Sequence, residues 1–259
     1  MNLQILNKVF VVSGGAKGIG AGIAESLASE GAIPVIIGRN ERENSQQVEK
    51  MKAMGGMADY VTAELSNAAD CKKAIDLISV KYPVIHGLVN NAGLNDGVGL
   101  EDGNYEEFIA SINRNVTHYY LLAHYLLPQL IKSKGSIVNI GSKVAETGQG
   151  GTSGYAAANG ARNALTREWA VDLLKYHIRV NSVIVAECYT PQYESWIAQQ
   201  PNPVEKLKSV TDKIPLEKRM TTPREIADMA VFLLSPVSSH TTGQLIYVDG
   251  GYTHLDRAL

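Results

Sequence analysis

A chain of 259 residues with 24 Lys and Arg against 26 Asp and Glu carries a formal charge of -2, which leaves no basic excess for a general nucleic-acid binder. It has no block of like charges to act as an interaction tail, and its two cysteines, Cys71 and Cys188, argue against a disulfide framework. The opening Met1–Asn7 lacks the basic-then-apolar layout of a secretory signal, and no apolar run reaches the ~18 residues of a membrane helix. The expectation is a soluble, cytoplasmic protein with no nucleic-acid and no membrane partner.

Short β-branched runs alternate with longer helical patterns. Val9–Val12 is the first strand, and Gly18–Glu30 then shows the 3.6-residue period, with Ile19, Ile23 and Leu27 along one face. Val35–Ile37 is the second strand. Glu41–Met54 reads as a polar helix closed by Gly55-Gly56. Asp59–Thr62, His86–Val89 and Ser136–Ile140 are further strands, separated by helices at Ala68–Lys81 and Tyr105–Ile131. Tyr155–Tyr176 is another long helix, Arg179–Val185 a sixth strand, Pro223–Leu234 a helix and Leu245–Val248 the last strand. The alternation predicts one α/β domain over 1–259, a doubly wound parallel sheet of about seven strands with helices on both faces. Glu187–Arg219, with Pro191, Pro201, Pro203 and Pro215, reads as a long irregular connection. Trp196, Ile197 and Leu207 give it apolar anchors, so a substrate lid is expected rather than a disordered insertion.

Ser13-Gly14-Gly15-Ala16-Lys17-Gly18-Ile19-Gly20 joins the first strand to the first helix. Glycines let the backbone approach a ligand, and a helix N-terminus offers free N–H groups to a phosphate. A glycine-rich match alone could be an ordinary turn; its place between strand and helix points to a nucleotide. The second strand ends Ile37-Gly38-Arg39-Asn40, without the Asp or Glu that binds the ribose diol of NAD. Arg39, with Lys17 nearby, favours NADP, with NAD still possible; otherwise Arg39 stacks on the adenine or faces solvent.

Further motifs follow in order: Asn90-Asn91-Ala92-Gly93 after the fourth strand, Ser142 at the tip of the fifth, Tyr155 thirteen positions later, Asn181 in the sixth strand and Asp249-Gly250-Gly251 after the last. This series, with the Gly-x-x-x-Gly-x-Gly spacing, resembles the short-chain dehydrogenase/reductase family, and the fold it implies is Rossmann-type. Asn90–Gly97 (NNAGLNDG), Thr147–Tyr155 (TGQGGTSGY), Ala164–Ala170 (ALTREWA) and Gly250–Leu259 (GGYTHLDRAL) are most similar to bacterial L-fucose dehydrogenase-like members.

The resemblance implies a nicotinamide oxidoreductase in which Tyr155 is the acid/base, Ser142 binds the reacting oxygen, and Asn115 holds a water in the proton relay. It implies cofactor contacts from Gly14, Lys17, Gly18, Ile19, Gly20, Arg39, Glu64, Leu65, Asn91, Ala92, Gly93 and Thr190. Lys143, Gln149, Glu187 and Trp196 are the candidate substrate contacts. Glu187 stands just after Val185-Ala186, where the family usually has Pro-Gly; its carboxylate suits a sugar or polyol, or it is a surface charge. Family members pair long helices into homodimers or homotetramers, and the tail ending Ala258-Leu259 is a candidate docking segment.

The family also expects Lys four residues after the tyrosine, on the same helix face; here that residue is Asn159. An ordinary tyrosine with a pKa near ~10 is only about 0.1% phenolate at pH 7, and Asn159 carries no charge to change that. Lys143 and Arg162 are the cations that could stand in. The readings left open are a sugar or polyol dehydrogenase with a modified relay, a 3-oxoacyl or other carbonyl reductase, and a cofactor-binding protein with impaired catalysis. The histidines show no metal spacing, so no metal is expected.

Overall fold

The computed structural model describes residues 1–256. Ala258 and Leu259 lie outside the described residues. Seven strands form one sheet: β1 (Val9–Ser13), β2 (Ile33–Gly38), β3 (Asp59–Thr62), β4 (Gly87–Asn90), β5 (Ser136–Ser142), β6 (Arg179–Val185) and β7 (Leu245–Val248). Their order is β3-β2-β1-β4-β5-β6-β7, and every neighbouring pair is parallel. The chain builds outward from β1 to β3, then returns to place β4 on the other side of β1. Beside this reversal the connections leave toward opposite faces and open a crevice at the carboxyl ends of the strands.

The apolar runs are short and unbroken because both faces of the sheet are covered. The two-residue period divides each run: Phe10, Val12 and Ile36 join one core cluster, and Val9, Val11, Val35 and Ile37 the other. The first cluster packs against α1 (Gly18–Ser29), α2 (Glu41–Ala53) and a helix at Pro223–Leu234. The second packs against α3 (Ala68–Lys81), α5 (His118–Ser133) and α7 (Ser153–Asp172). The α2 helix ends as expected of Gly55-Gly56: Gly55, at φ +87°, donates to Lys52 O, and Gly56 donates to Met51 O.

Three features depart from the periodic reading. The stretch 105–131 is not one helix: α4 (Tyr105–Ile112) and α5 are separated by a π turn at Asn113–Thr117. A short α6 (Val144–Thr147) follows β5. The connection 187–219 is not irregular; it contains α8 (Pro191–Ala198) and α9 (Pro203–Thr211). Two of its four prolines, Pro191 and Pro203, start helices rather than break them: each stands at the first turn, behind a capping residue. Thr190 accepts from Tyr193 N–H and Asn202 from Glu205 N–H. A last helix, α10 (Pro223–Leu234), opens with a capping box between Thr222 and Glu225. Among the described residues, no helix is long and apolar enough to cross a membrane.

Candidate active site

A cleft of about 550 Å³ opens at the carboxyl ends of the strands. On the β1 side its wall is mostly backbone. Gly14 and Gly18 hold φ of +64° and +56°, which turn the chain from β1 into α1. At Gly20 a Cβ would come within 2.2 Å of Gly14 O, so the helix can pack this tightly only on glycine. Lys17, the cap residue of α1, makes no side-chain cap bond, and the first turn holds no acidic residue. The helix therefore presents its N–H groups and positive end to the cleft, where an anion is stabilised. The loop is tied to β4: Ser13 Oγ accepts from the N–H groups of Asn91 and Ala92, and Asn91 Nδ2 donates to Ser13 O and Gly14 O.

Arg39, beyond β2, lines the cleft together with Lys17, Glu64 and Leu65. Both cations have carboxylates beside them. Lys17 Nζ is 2.6 Å from Glu43 Oε1, and Arg39 Nη1 is 4.0 Å from Glu64 Oε2. The Ser66 N–H holds the Glu64 carboxyl below its usual range, so it is charged near neutrality. Thr190 closes this wall: a Cβ on Gly18 would lie 3.3 Å from its methyl carbon.

The other wall carries Ser142, at the end of β5, and Tyr155, near the start of α7. A buried polar chain fixes their supports to each other. Asn90 Nδ2 donates to Asn139 Oδ1, Asn139 Nδ2 donates to Thr166 Oγ1, and Ser182 Oγ donates to Asn139 O. Thus β4, β5, β6 and α7 are locked together directly behind the cleft.

Residues 14–253 match the sequence family described as Enoyl-(Acyl carrier protein) reductase. The chain is 32% identical over 259 residues to 3-oxoacyl-acyl-carrier-protein reductase FabG of Chlamydia pneumoniae, covering 98% of this chain and 100% of that one. It is 31% identical over 252 residues to L-fucose dehydrogenase of Bos taurus, covering 97% and 91%. The crystal structure of Cj0485 dehydrogenase has a TM-score of 0.94 and 45% identity, over 100% of this chain and 99% of that chain. This chain is a short-chain dehydrogenase/reductase. As a member of that family it is an oxidoreductase that uses a nicotinamide cofactor, and the glycine cradle beside the α1 N-terminus fits one.

Two of its expected residues sit elsewhere than the family pattern implies. Asn159 is fully buried and does not line the cleft; its Nδ2 donates to Tyr155 O one turn back, and its Oδ1 accepts from Arg162 Nη1 at 3.0 Å. Asn115, in the π turn, has each of its side-chain groups and its carbonyl engaged by protein partners. Its Oδ1 accepts from Leu94 N–H, its Nδ2 donates to Ser111 O, and its carbonyl accepts from Nε and Nη2 of Arg162. The extra residue of the π turn brings that carbonyl to the guanidinium.

Lys143 and Glu187 form an ion pair with Lys143 Nζ 3.7 Å from the Tyr252 ring centre. Tyr193 hydrogen-bonds Glu187, and burial together with that carboxylate pushes its hydroxyl upward. Tyr193 lines the cleft; Lys143 and Glu187 stand just behind it. Trp196 packs edge-to-face on Tyr193 at 5.2 Å and is half-exposed, and Gln149 is exposed on the loop before α7; neither lines the cleft.

His118 and Arg114 also line the cleft and were not singled out from the sequence. His118 Nε2 donates to Ala92 O, and burial, with Arg162 nearby, pushes the imidazole down to about 4. Arg114 pairs with Asp96 at 2.6 Å. Both follow the π turn's change of phase, which a regular helical period does not reveal.

Proposed function

We propose that this short-chain dehydrogenase/reductase transfers hydride between a sugar or polyol hydroxyl, of the L-fucose kind, and NADP. The observation that carries the substrate class is Tyr193 on the cleft wall, backed by the enclosed Lys143–Glu187 pair that follows Ser142: a polar wall at the substrate end suits several hydroxyls, where a long acyl chain would require an apolar one. The similarity to L-fucose dehydrogenase of Bos taurus supports the same class.

When bound, the nicotinamide supplies the hydride acceptor or donor. The glycine loop and the α1 N-terminus would hold its pyrophosphate, Arg39 and Lys17 a 2′-phosphate, and Thr190 and Asn91–Gly93 the nicotinamide side. Tyr155 takes the proton of the substrate hydroxyl, and Ser142 hydrogen-bonds the same oxygen. The two helices of 187–219 form the lid. Its base is pinned where Thr221 N–H donates to Glu187 O and Tyr189 N–H to Thr221 O, so its helices can swing over the substrate as a unit. A cytoplasmic homodimer or homotetramer belongs to the same reading; exposed Tyr105, Phe108 and Tyr120 on α4 and α5 offer its apolar contacts.

The second reading, a 3-oxoacyl reductase, has the similarity to FabG in its favour. Against it, an acyl-carrier partner needs a basic patch, and the lid offers Lys206, Lys208 and Lys213, of which Lys208 is paired with Asp212. The test is NAD and NADP in parallel against a panel of sugars and a 3-oxoacyl thioester, with Tyr155→Phe as the control. Reduction of NADP by L-fucose or a related sugar, lost in Tyr155→Phe, is expected. Cofactor binding without turnover on any sugar, or faster reduction of the thioester, overturns the reading.

A further inference from the structure

We propose that Arg162 is the electrostatic positioning residue of the proton transfer: it supplies beside Tyr155 the positive charge that the family otherwise places at position 159. The inference rests on the reading of Tyr155 as the acid/base. Position 162 is seven residues after Tyr155, and so lies on the same face of α7 as Tyr155 and Asn159.

Arg162 is 3% exposed, and its guanidinium carbon lies 5.9 Å from the Tyr155 ring centre and 4.4 Å from that of Tyr119. Its hydrogen bonds all go to neutral acceptors: Asn115 O twice, Ile140 O and Asn159 Oδ1. Among the described residues no carboxylate lies within ion-pair distance of it. Four of the five N–H donors are thus used, and the fifth, on Nη2, has no acceptor among the described residues. Nη2 is also the group that a Cβ on Gly93 would meet at 2.6 Å, so the bare turn after β4 makes room for it. A buried cation is costly unless an anion forms nearby. The anion this site can form is the Tyr155 phenolate.

Asn159 then has a defined part. By bonding back to Tyr155 O and accepting from Nη1, it braces the guanidinium against the turn that carries the tyrosine. The Asn115 carbonyl braces it from the π turn. The proton of the substrate hydroxyl passes to Tyr155 Oη, the phenol forms, and the hydride leaves to the nicotinamide. Arg162 stays protonated throughout. The phenol returns its proton to water in the open cleft.

The other charged and titratable groups around the cleft do not supply this field. From α5, His118 is neutral above about pH 5 and burial pushes Tyr119 upward, so neither titrates near neutrality. Arg114 in the π turn is paired with Asp96, and Lys143 after β5 with Glu187. Glu64, across the cleft beyond β3, is negative.

The test is the pH dependence of turnover with NADP and L-fucose, or whichever sugar of the panel reacts, for the natural chain, Arg162→Gln, Arg162→Met and Arg162→Lys. NADP affinity is measured by titration in parallel. Removing the charge is expected to move the low-pH limb up by about one unit or more, an approximately tenfold loss at pH 7 for each unit, with NADP affinity changed less than about threefold. Arg162→Lys is expected to recover most of the shift, which a purely packing role would not predict. A neutral variant that folds, binds NADP and keeps the limb in place overturns the proposal. Should both neutral variants fail to fold, the natural chain decides. A limb well below the ordinary tyrosine value of about 10 supports the proposal, and one at that value overturns it. Tyr155→Phe separates the two ideas. If it keeps turnover, the acid/base reading falls; if it is inactive while the Arg162 variants keep the limb, only the role of Arg162 falls.

Discussion

At the nucleotide end of the cleft, Lys17 and Arg39 reach out from the surface, 58% and 79% exposed, each beside a carboxylate. At the catalytic end, Arg162 and Lys143 are almost wholly enclosed: one is held by neutral carbonyls, the other by Glu187 and an aromatic face. The same side-chain chemistry therefore does different work at the two ends. An exposed cation is hydrated, screened and exchangeable, and can only bias which cofactor binds. An enclosed one is costly to leave without a partner, so its surroundings must be specified in detail. The catalytic end should thus answer to substitution through stability and proton chemistry, and the nucleotide end through modest changes in affinity.

The largest effect should come from splitting the enclosed pair. Lys143→Met leaves the Glu187 carboxylate without its counter-charge. The expected loss of stability is toward the lower end of the ~3–5 kcal/mol typical of such breaks, because the cleft admits some water. Lys143→Met/Glu187→Leu removes both charges and should recover most of it in denaturant unfolding. If the double replacement is as unstable as the single one, the pair is not the unit that matters.

His118 tests the same end through pH. Its pKa is about 4 in the folded chain against 6.5 when unfolded. Between those values the unfolded chain holds more protons, so the contribution is complete above about pH 6.5. It is lost as pH falls toward 4, by roughly 3 kcal/mol in all. His118→Gln can still donate to Ala92 O but does not titrate, and should flatten the slope of stability between pH 6.5 and 4. Equal slopes for the two chains would mean that the imidazole is not the group protonated in that range.

The contrast also explains what the sequence made legible. The sheet could be read because each strand is a bare apolar run, and the phosphate loop because its function lies in backbone that only glycine allows. The catalytic end depends on side chains arriving from different elements. The offset of Asn115 depends on one extra residue in a π turn, and no apolar period signals it. The lid helices were hidden because Pro191 and Pro203 read as breakers, although a preceding Thr190 or Asn202 makes such a proline a helix start. Asn159 read as a lost charge. Its fold neighbour Arg162 could be named from the sequence only as a cation nearby, since reach and burial are tertiary facts.

Gly20→Ala sharpens the comparison on the nucleotide side. The new Cβ would meet Gly14 O at 2.2 Å and Asn91 Nδ2 at 2.5 Å, so α1 must shift away from the loop. The expected cost is about 1–3 kcal/mol of stability, with weaker NADP and NAD binding alike. Gly160→Ala, in α7 with nothing within 4 Å of its Cβ position, is the control and should stabilise by about 0.5–1 kcal/mol. Equal responses at the two sites would mean that the close approach at Gly20 carries no weight.

The smallest effect should be at Arg39, and it is the one that decides the cofactor. Exposed at the tip of β2, the guanidinium loses little on folding and adds little to stability, so Arg39→Ala should leave unfolding unchanged within about 0.5 kcal/mol. A 2′-phosphate would give it a charge-assisted hydrogen bond. Such bonds contribute roughly 1.5–3 kcal/mol, and solvent screening places this one near the lower figure, about tenfold in NADP affinity. NAD has no group there to lose, so its affinity should stay nearly constant. Glu64, charged and 4.0 Å from Arg39, opposes a second negative group in the same place. Glu64→Gln should therefore strengthen NADP binding by a few-fold without helping NAD, and raised salt should shrink both effects. If Arg39→Ala weakens NADP and NAD equally, Arg39 lies against the adenine they share, and the preference for NADP has to be abandoned.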